Sequence, residues 1–341
     1  MKKSQLDIFQ SSQDGRAAAA AKSGLLDAIK DKTLDRPVMV SLGMGVDSVA
    51  MTIALIQLGR VPDLIIFADT GSERPETYDY IETFNNWLRQ YGIQVTIARY
   101  CPVKAPYDTL EQECLTNGIL PGIALGRKSC SIKWKQDGIH QWLKGVPAKG
   151  KRPAQPGWQP AIDCWERGER VVKLIGFDAG AKDRRRGGIA QTPEYDTLFL
   201  LRELGMDRLD CARLIRSVGL PIPLKSACFF CSANKPEELK WLHHKHPNLF
   251  RRALVLETNA MPKLKKSDGL WRSTRKRDNR SGNWNQWALD EGLIVKDDND
   301  PDGFTLVPQN DPPLHYPDDE IGHLLRKEAL ENAEGPKALA A

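Results

Sequence analysis

The residues from Val38 to Met51, VMVSLGMGVDSVAM, join an apolar run, a glycine-rich turn and an Asp47-Ser48 pair that opens a second apolar segment. A strand, a tight turn and a helix start in that order aim backbone N–H groups at one point, where a phosphate is stabilised. Gly43 and Gly45 let the backbone turn and approach an anion without a Cβ in the way. Ser48 adds a hydroxyl, and Asp47 can hold the loop or a magnesium ion. No Gly-Lys-Ser/Thr closes the turn, so it is not a Walker loop, and the third glycine of the dinucleotide fingerprint is absent. A second constellation is built on sulfur. Cys228 and Cys231, in KSACFFCS, form a Cys-x-x-Cys pair that brings two thiolates within reach of one metal centre. With Cys130 and Cys211 four sulfur ligands are available, enough for a four-iron cluster or a structural zinc. A redox dithiol is disfavoured, because the pair does not open a helix in a thioredoxin-like unit. Buried, unligated cysteines are the plain alternative. Cys101, Cys114 and Cys164 lack partners at ligand spacing and read as structural.

The elements that must position these residues follow from periodicity. Strands are expected over Val38–Ser41, Leu64–Phe67, Val95–Ala98 and Val171–Phe177, the second being a continuous apolar run of the kind buried inside parallel sheets. Helices are expected over Ala18–Ile29, Val49–Leu58 and Pro75–Tyr91, the last opening with proline and with Glu73 and Glu76 near the positive end of its dipole. The alternation predicts an α/β fold with a doubly wound parallel sheet, whose ligands sit at the carboxyl ends of the strands. Cys101–Gly126 reads as irregular, and 144–170, rich in Pro, Gly, Lys and Trp, as an insertion or lid. A helix carrying Cys211 ends at Gly219, and another spans Pro236–His246, its three histidines favouring the dipole rather than a metal. The expected organisation is a tail and helix over 1–34, a nucleotide-binding domain over 35–235, and a helical and irregular basic region over 236–341.

At the end of the second strand stands ADTGSERPETY, residues 68–78. SLGMGVDS followed by FADTGSERPETY resembles the PP-loop ATP pyrophosphatase superfamily, specifically its phosphoadenosine-phosphosulfate (PAPS) reductase-like branch. The family's Ser-Gly-Gly is Gly43-Met44-Gly45 here, a departure within the phosphate loop. The resemblance implies an adenine nucleotide alpha-hydrolase-like fold, with ATP and Mg2+ or a nucleotidyl sulfate held by Ser41, Gly43, Met44, Gly45, Val46, Asp47 and Ser48. It places the adenosine near Asp69, Thr70, Gly71 and Glu73. GRKSCSIKWK, residues 126–135, resembles the branch's Cys-x-x-x-x-Lys segment, in which a lysine approaches substrate phosphates; Lys133 and Lys135 both suit that role. Asp178, Asp183 and Arg184-Arg185-Arg186, after the fourth strand, resemble its second substrate-contacting loop, where arginines clamp phosphate or sulfate oxygens. Asp47, Ser48, Lys133 and Arg185 are thus the implied catalytic residues. The resemblance favours a [4Fe-4S] cluster over zinc at Cys130, Cys211, Cys228 and Cys231, although the adjacent Cys-Cys of adenylyl-sulfate reductases is absent.

Sulfonucleotide reductases of this branch carry a catalytic cysteine near the C-terminus, and this chain has no cysteine after Cys231. Reduction is therefore disfavoured unless a partner thiol serves. The expectation is ATP cleavage to AMP and pyrophosphate that activates a substrate for sulfur transfer to a nucleic acid or nucleotide. The rivals are a sulfonucleotide reductase using a partner thiol and a nucleic-acid-binding module with an inactive loop.

Composition is compatible with each. The chain has 341 residues, 49 Lys plus Arg against 44 Asp plus Glu and a net charge of +5, mildly basic. Within Lys263–Arg280, eight basic residues face two acidic ones, and Trp271, Trp284 and Trp287 lie inside or just beyond it. That mixture suits a nucleic-acid strand through phosphate contacts and base stacking, or else a solvated loop covering the metal site. A sulfur-donor or reductant protein is a further expected partner. No apolar run spans a bilayer and the N-terminus lacks a signal-peptide core, so the expected location is the cytoplasm, away from membranes. Seven cysteines without an export signal argue against a disulfide framework. A last short helix is expected over Asp319–Ala333.

Overall fold

The apolar runs of the first two hundred residues become one parallel sheet. The computed structural model describes residues 24–126, 129–184 and 192–308. A short helix, α1 (Gly24–Lys30), precedes β1 (Val38–Leu42), which turns into α2 (Val46–Gln57). Next come β2 (Leu64–Asp69), α3 (Pro75–Leu88) with a tighter extension over Arg89–Tyr91, and β3 (Val95–Arg99). The chain continues through α4 (Leu110–Asn117) and a π-helical segment, Cys130–Asp137, that runs into α5 (Gly138–Lys144). Then follow α6 (Gln159–Glu166), β4 (Val171–Ile175), the single turn α7 (Ala181–Arg184), β5 (Tyr195–Leu198), α8 (Leu200–Glu203) and α9 (Arg208–Ser217). The last third holds α10 (Pro236–Lys245), α11 (Pro247–Ala260), α12 (Trp284–Asp290) and a hairpin of β6 (Ile294–Lys296) and β7 (Phe304–Leu306).

The strands lie in the order β3-β2-β1-β4-β5, every neighbouring pair parallel. β1 sits at the centre, with Ser41 opposite Ile66 of β2 on one side and Ile175 of β4 on the other. The chain winds outward from β1 through β2 to β3, then returns to the far side of β1 with β4. The crevice above the carboxyl ends of β1 and β4 is therefore the switch point where ligands of such sheets bind.

Alternation along the strands divides the interior. Val38, Val40, Leu42, Ile65, Phe67, Val172 and Leu174 pack under α2, α3 and α9. Met39, Leu64, Ile66, Ala98, Val171 and Tyr195 pack under α5 and α6. Helices thus cover both faces, as in a doubly wound α/β fold. A third apolar cluster lies off the sheet and joins Tyr107, Leu110, Cys114 and Trp134 to Phe229, Phe230, Leu254, Trp271, Trp284 and Trp287.

Several expectations change. Residues 101–126, read as irregular, contain α4, started by Thr109, whose Oγ1 accepts from Gln112 N at 3.2 Å. The block 144–170 carries α6, whose Ala161 and Cys164 are fully buried against the sheet, so this stretch helps to build the core. A boundary at 235 falls inside the third cluster, which draws on residues either side of it. Strand β4 stops at Ile175, before Gly176 and Phe177. The helix expected over 18–29 begins at Gly24 among the described residues, and the one expected over 319–333 lies outside them. No helix among the described residues is long and apolar enough to cross a membrane.

Candidate functional site

The loop from β1 to α2 is held open from within. Ser48 Oγ accepts from Gly43 N at 3.1 Å and donates to the Gly45 carbonyl at 3.1 Å, which fixes the curl of the turn. Met44 adopts the left-handed conformation, φ 57°, usually left to glycine. Its side chain is buried in the core under α2, which pins the loop by its middle residue. The serine and glycine expected by resemblance are thus replaced by a backbone of the needed hand with an apolar anchor. The N–H groups of the first turn of α2, which no helix can satisfy from within, face the switch point.

The far wall of the crevice is Gly176, just after β4. A Cβ on Gly176 would stand 2.7 Å from both the Cα and the N of Ser48. Only glycine lets the β4 end close onto the loop. Beyond it the chain delivers Asp178 and Asp183, both buried, and ligand oxygens of Asp47, Asp178 and Asp183 lie within 4.8 Å of one another. Asp178 accepts from Gly180 N at 2.7 Å, and burial holds its carboxyl above the ordinary range. Arg208, at the start of α9, pairs with Asp47 at 3.5 Å. A carboxylate trio beside a phosphate-shaped turn suits an oxygen-seeking cation such as Mg2+. Sequence reasoning placed Asp178 and Asp183 near substrate but did not group them with Asp47, and it passed over Arg208. Arg184 is exposed on α7, and Arg185 lies outside the described residues.

The second turn, after β2, is organised by Asp69. This buried carboxylate accepts from Gly71 N at 2.7 Å, from Tyr78 OH at 2.8 Å and from Arg99. Burial and the Asp69 contact raise the Tyr78 phenol well above its ordinary value, so it stays a donor. Asp69 therefore shapes the turn. From there Thr70 and Glu73 look toward sulfur: Thr70 Oγ1 lies 3.3 Å from Cys228 Sγ, and Glu73 Oε1 lies 3.9 Å from it. The strand-like pairing of Glu73 with Cys228, and Phe229 N donating to Ser72 O at 3.1 Å, stitch the two segments together.

Cys228 and Cys231 are joined by a tight turn, Cys231 N donating to Cys228 O at 3.0 Å. Cys130, at the head of the π-helical segment, packs on the same cluster and lies within electrostatic reach of Cys231. Burial pushes both the Cys228 and Cys231 thiols up. Lys135 reaches Glu73 Oε1 at 3.2 Å; burial opposes its charge, and Glu73 and the neighbouring thiols outweigh that and hold it above its ordinary value.

Two expected site residues are elsewhere. Cys211 is fully buried on α9 in the core under α2, where burial and then Asp47 and Asp178 raise its thiol; it does not join the other three. The reason is topological, since α9 packs on the sheet and the Cys-x-x-Cys turn packs off it. Lys133 is paired with Glu113, 3.1 Å from Tyr107 OH and set over the rings of Tyr100, Tyr107 and Trp134. Lys135 is the lysine beside the thiols.

The basic loop also departs from expectation. Trp271, Trp284 and Trp287 are buried in the third cluster and cannot stack on bases. Glu257, fully buried, accepts from Leu270 N at 2.7 Å, Trp284 N at 2.9 Å and Asn285 N at 2.9 Å, and so fastens both ends of the loop. Lys265, Lys266, Arg272, Lys276 and Arg277 remain exposed. Of the histidines at the end of α10, His246 binds Glu76 at 2.6 Å, while His243 is buried against Phe250.

No family model matches the sequence, and no curated protein matches it. Among solved structures, the chain is similar to a phosphoadenylyl-sulfate (PAPS) reductase from Candida auris in a phosphate complex, at 12% identity and a TM-score of 0.33, covering 65% of this chain and 91% of that one. It is also similar to the U34-tRNA thiolase NcsA from Methanococcus maripaludis with its [4Fe-4S] cluster, at 12% identity and a TM-score of 0.32, covering 72% and 82% respectively.

Proposed function

We propose that this chain is an enzyme that binds ATP with Mg2+ at the β1–β4 crevice and cleaves it to AMP and pyrophosphate to activate an acceptor. The observation that carries this reading is the closure of Gly176 onto Ser48, which sets the Gly43–Ser48 turn beside Asp47, Asp178 and Asp183. In the reaction an acceptor oxygen attacks the α-phosphorus, the bond to the bridging oxygen breaks and pyrophosphate leaves. The turn's N–H groups stabilise charge on the departing oxygens, and Ser48 holds the curl that aims them. The three carboxylates would hold Mg2+, which supplies charge neutralisation on the phosphates. Arg208 on the rim, and Arg185, are the candidate cations for the pyrophosphate.

A sulfide-level sulfur nucleophile would then attack the adenylated carbon or phosphorus, forming the bond to sulfur and breaking the bond to the adenylated oxygen so that AMP leaves, at the second half of the site, where Cys130, Cys228 and Cys231 would hold a metal centre. Their fit is chemical: three thiols converge on one cluster, burial keeps Cys228 and Cys231 protonated until a cation claims them, and Lys135 stands by to offset the charge. Among the described residues, no three thiol or carboxylate donors there lie within 4.8 Å of one another. Of the two centres such thiols could hold, we favour the iron–sulfur cluster that the sequence resemblance implies. The acceptor we favour is a nucleic acid whose phosphates meet the exposed cations of 263–280.

The test is incubation with MgATP and separation of the products. AMP and pyrophosphate, lost in Asp47→Ala and Ser48→Ala, are expected. ADP and phosphate as products, or no nucleotide binding by calorimetry, would overturn the reading.

A further inference from the structure

With Cys211 in another core, three thiols are left, and a four-iron cluster has four corners to ligate. The buried group beside Cys228 is a carboxylate. Glu73 has no side-chain exposure at all, and its Oε1 is 3.2 Å from Lys135 Nζ and 3.9 Å from Cys228 Sγ. Its other oxygen, Oε2, is buried with no hydrogen-bond partner among the described residues. An unpartnered carboxylate oxygen in a dry interior is costly unless something else claims it. The backbone leaves Glu73 little choice of direction, because its residue is paired strand-fashion with Cys228 itself.

We propose that Glu73 is the fourth ligand of the metal centre, completing Cys130, Cys228 and Cys231 with a carboxylate oxygen. This rests on the iron–sulfur reading above. Lys135 then has a defined part: it holds Oε1 and leaves Oε2 for the metal, and its ammonium offsets one of four anionic donors. Thr70, 3.3 Å from Cys228 Sγ, adds a hydroxyl contact to the neighbouring sulfur. Cys114 is the rival for the fourth place, because it is buried in the same cluster within electrostatic reach of Cys130. It stands on α4, on the Cys130 side, whereas Glu73 is paired with Cys228 through the backbone. The carboxylate also differs in kind from the three thiolates, being a harder donor that binds iron less tenaciously. One corner of the cluster is thereby left more open to exchange than the other three.

The experiment uses the full chain purified without oxygen, assayed for iron, zinc and sulfide and examined by absorption and electron paramagnetic resonance, with thermal melting to check folding. The wild type is expected to hold about four irons per chain. Glu73→Gln should fold and keep the three thiolate-bound irons but lose the fourth, giving the resonance of a three-iron cluster. Glu73→Cys should restore about four irons with a changed spectrum, which keeps the test decisive if the glutamine variant melts early. Cys114→Ser and Cys211→Ser should match the wild type. A Glu73→Gln protein whose iron content and resonance equal the wild type's, or loss of one iron in Cys114→Ser instead, overturns this assignment alone. A wild type that holds no metal, or only zinc, overturns the iron–sulfur reading and the assignment with it.

Discussion

Replacing Gly176 by alanine is the smallest change that asks whether the β1–β4 crevice binds nucleotide. Its φ is ordinary, so alanine meets no backbone penalty there and the effect is purely steric. The added Cβ would lie 2.7 Å from Ser48 Cα and N, both backbone atoms that no rotamer change can move. Relieving the overlap needs a displacement of about 0.7 Å between the end of β4 and the head of α2. Overpacking of this kind costs about 1–3 kcal/mol, so the fold should survive with a lower melting temperature. The Ser48 hydrogen bonds to Gly43 and Gly45, both at 3.1 Å, are drawn from the atoms that must move. So are the N–H groups that would receive phosphate. Misplacement of a binding constellation by an ångström costs up to about 100-fold, and we expect the Kd for MgATP to rise by about 10- to 100-fold. Calorimetric titration, with circular dichroism to establish folding, reads both quantities. Ser48→Ala asks the same question without crowding, by removing the hydroxyl that curls the turn. Wild-type affinity in both folded variants would refute the assignment of the crevice.

Three further outcomes are expected. Burial lowers the pKa of His140, which meets Tyr195 OH at 3.0 Å, so the folded chain resists protonating it. Its depressed folded pKa gives stability that is present above the unfolded value near 6.5 and lost as pH falls through the folded one, by at most about 1.4 kcal/mol per pH unit; urea unfolding of wild type and His140→Gln at pH 7.5 and 5.5 should show a smaller loss in the variant, which keeps the buried His243. Lys133→Met takes the cation from Glu113, which is largely buried and keeps only the neutral donors Tyr107 OH and Trp134 Nε1, and should cost about 1–3 kcal/mol of stability while leaving MgATP affinity unchanged; a stable variant that has lost nucleotide would show instead that Lys133 touches substrate. Lys276→Ala with Arg277→Ala should weaken binding of duplex DNA uniformly across sequences and flatten its log–log salt dependence, by about 0.9 for each phosphate no longer neutralised, and an unchanged slope in a filter-binding assay would remove the loop from the interface.

Four of the five strands were legible because they are short runs rich in apolar residues, and buried faces leave no other use for Leu64–Phe67 or Val171–Leu174; β5, Tyr-Asp-Thr-Leu, carries no such run and was not expected. The start of α4 was legible too and was passed over: Thr109 followed three residues later by Gln112 is a capping signature, and Gly118 closes the helix in the left-handed conformation. What the linear order could not disclose is which core a residue enters. Cys211 and Cys228 are separated by one helix end and a proline turn, yet one packs on the sheet and the other off it. Asp178 joins Asp47 only because β4 returns beside β1, a choice made by the whole sheet. The tryptophans near the basic loop carry no periodic signal in sequence, and their burial depends on Glu257 drawing Leu270 and Trp284 inward from a helix that precedes them.

The two halves of the site meet in the short segment 69–74. Asp69 closes the turn that ends β2, and Glu73, further along the same turn, belongs already to the sulfur side. Between them Thr70 O accepts from Leu110 N at 3.0 Å and Ser72 Oγ accepts from Glu111 N at 3.2 Å, so the start of α4 is hung from the same turn. Arg74 follows, donating to Asn234 Oδ1 at 2.9 Å, and Asn234 in turn donates to Phe229 O at 3.1 Å and accepts at its carbonyl from Trp271 Nε1 at 2.7 Å. Under the proposed function, a displacement of the turn by nucleotide at the β2 end would pass to the Cys228–Cys231 loop and to the base of the cationic loop through the Arg74–Asn234–Phe229 and Trp271 hydrogen bonds, which are buried. Such bonds exchange poorly with water, so the path is stiff rather than compliant. A stiff link of this kind is what the proposed two-step reaction would need, because an activated acceptor would have to be presented to sulfur before water reached it.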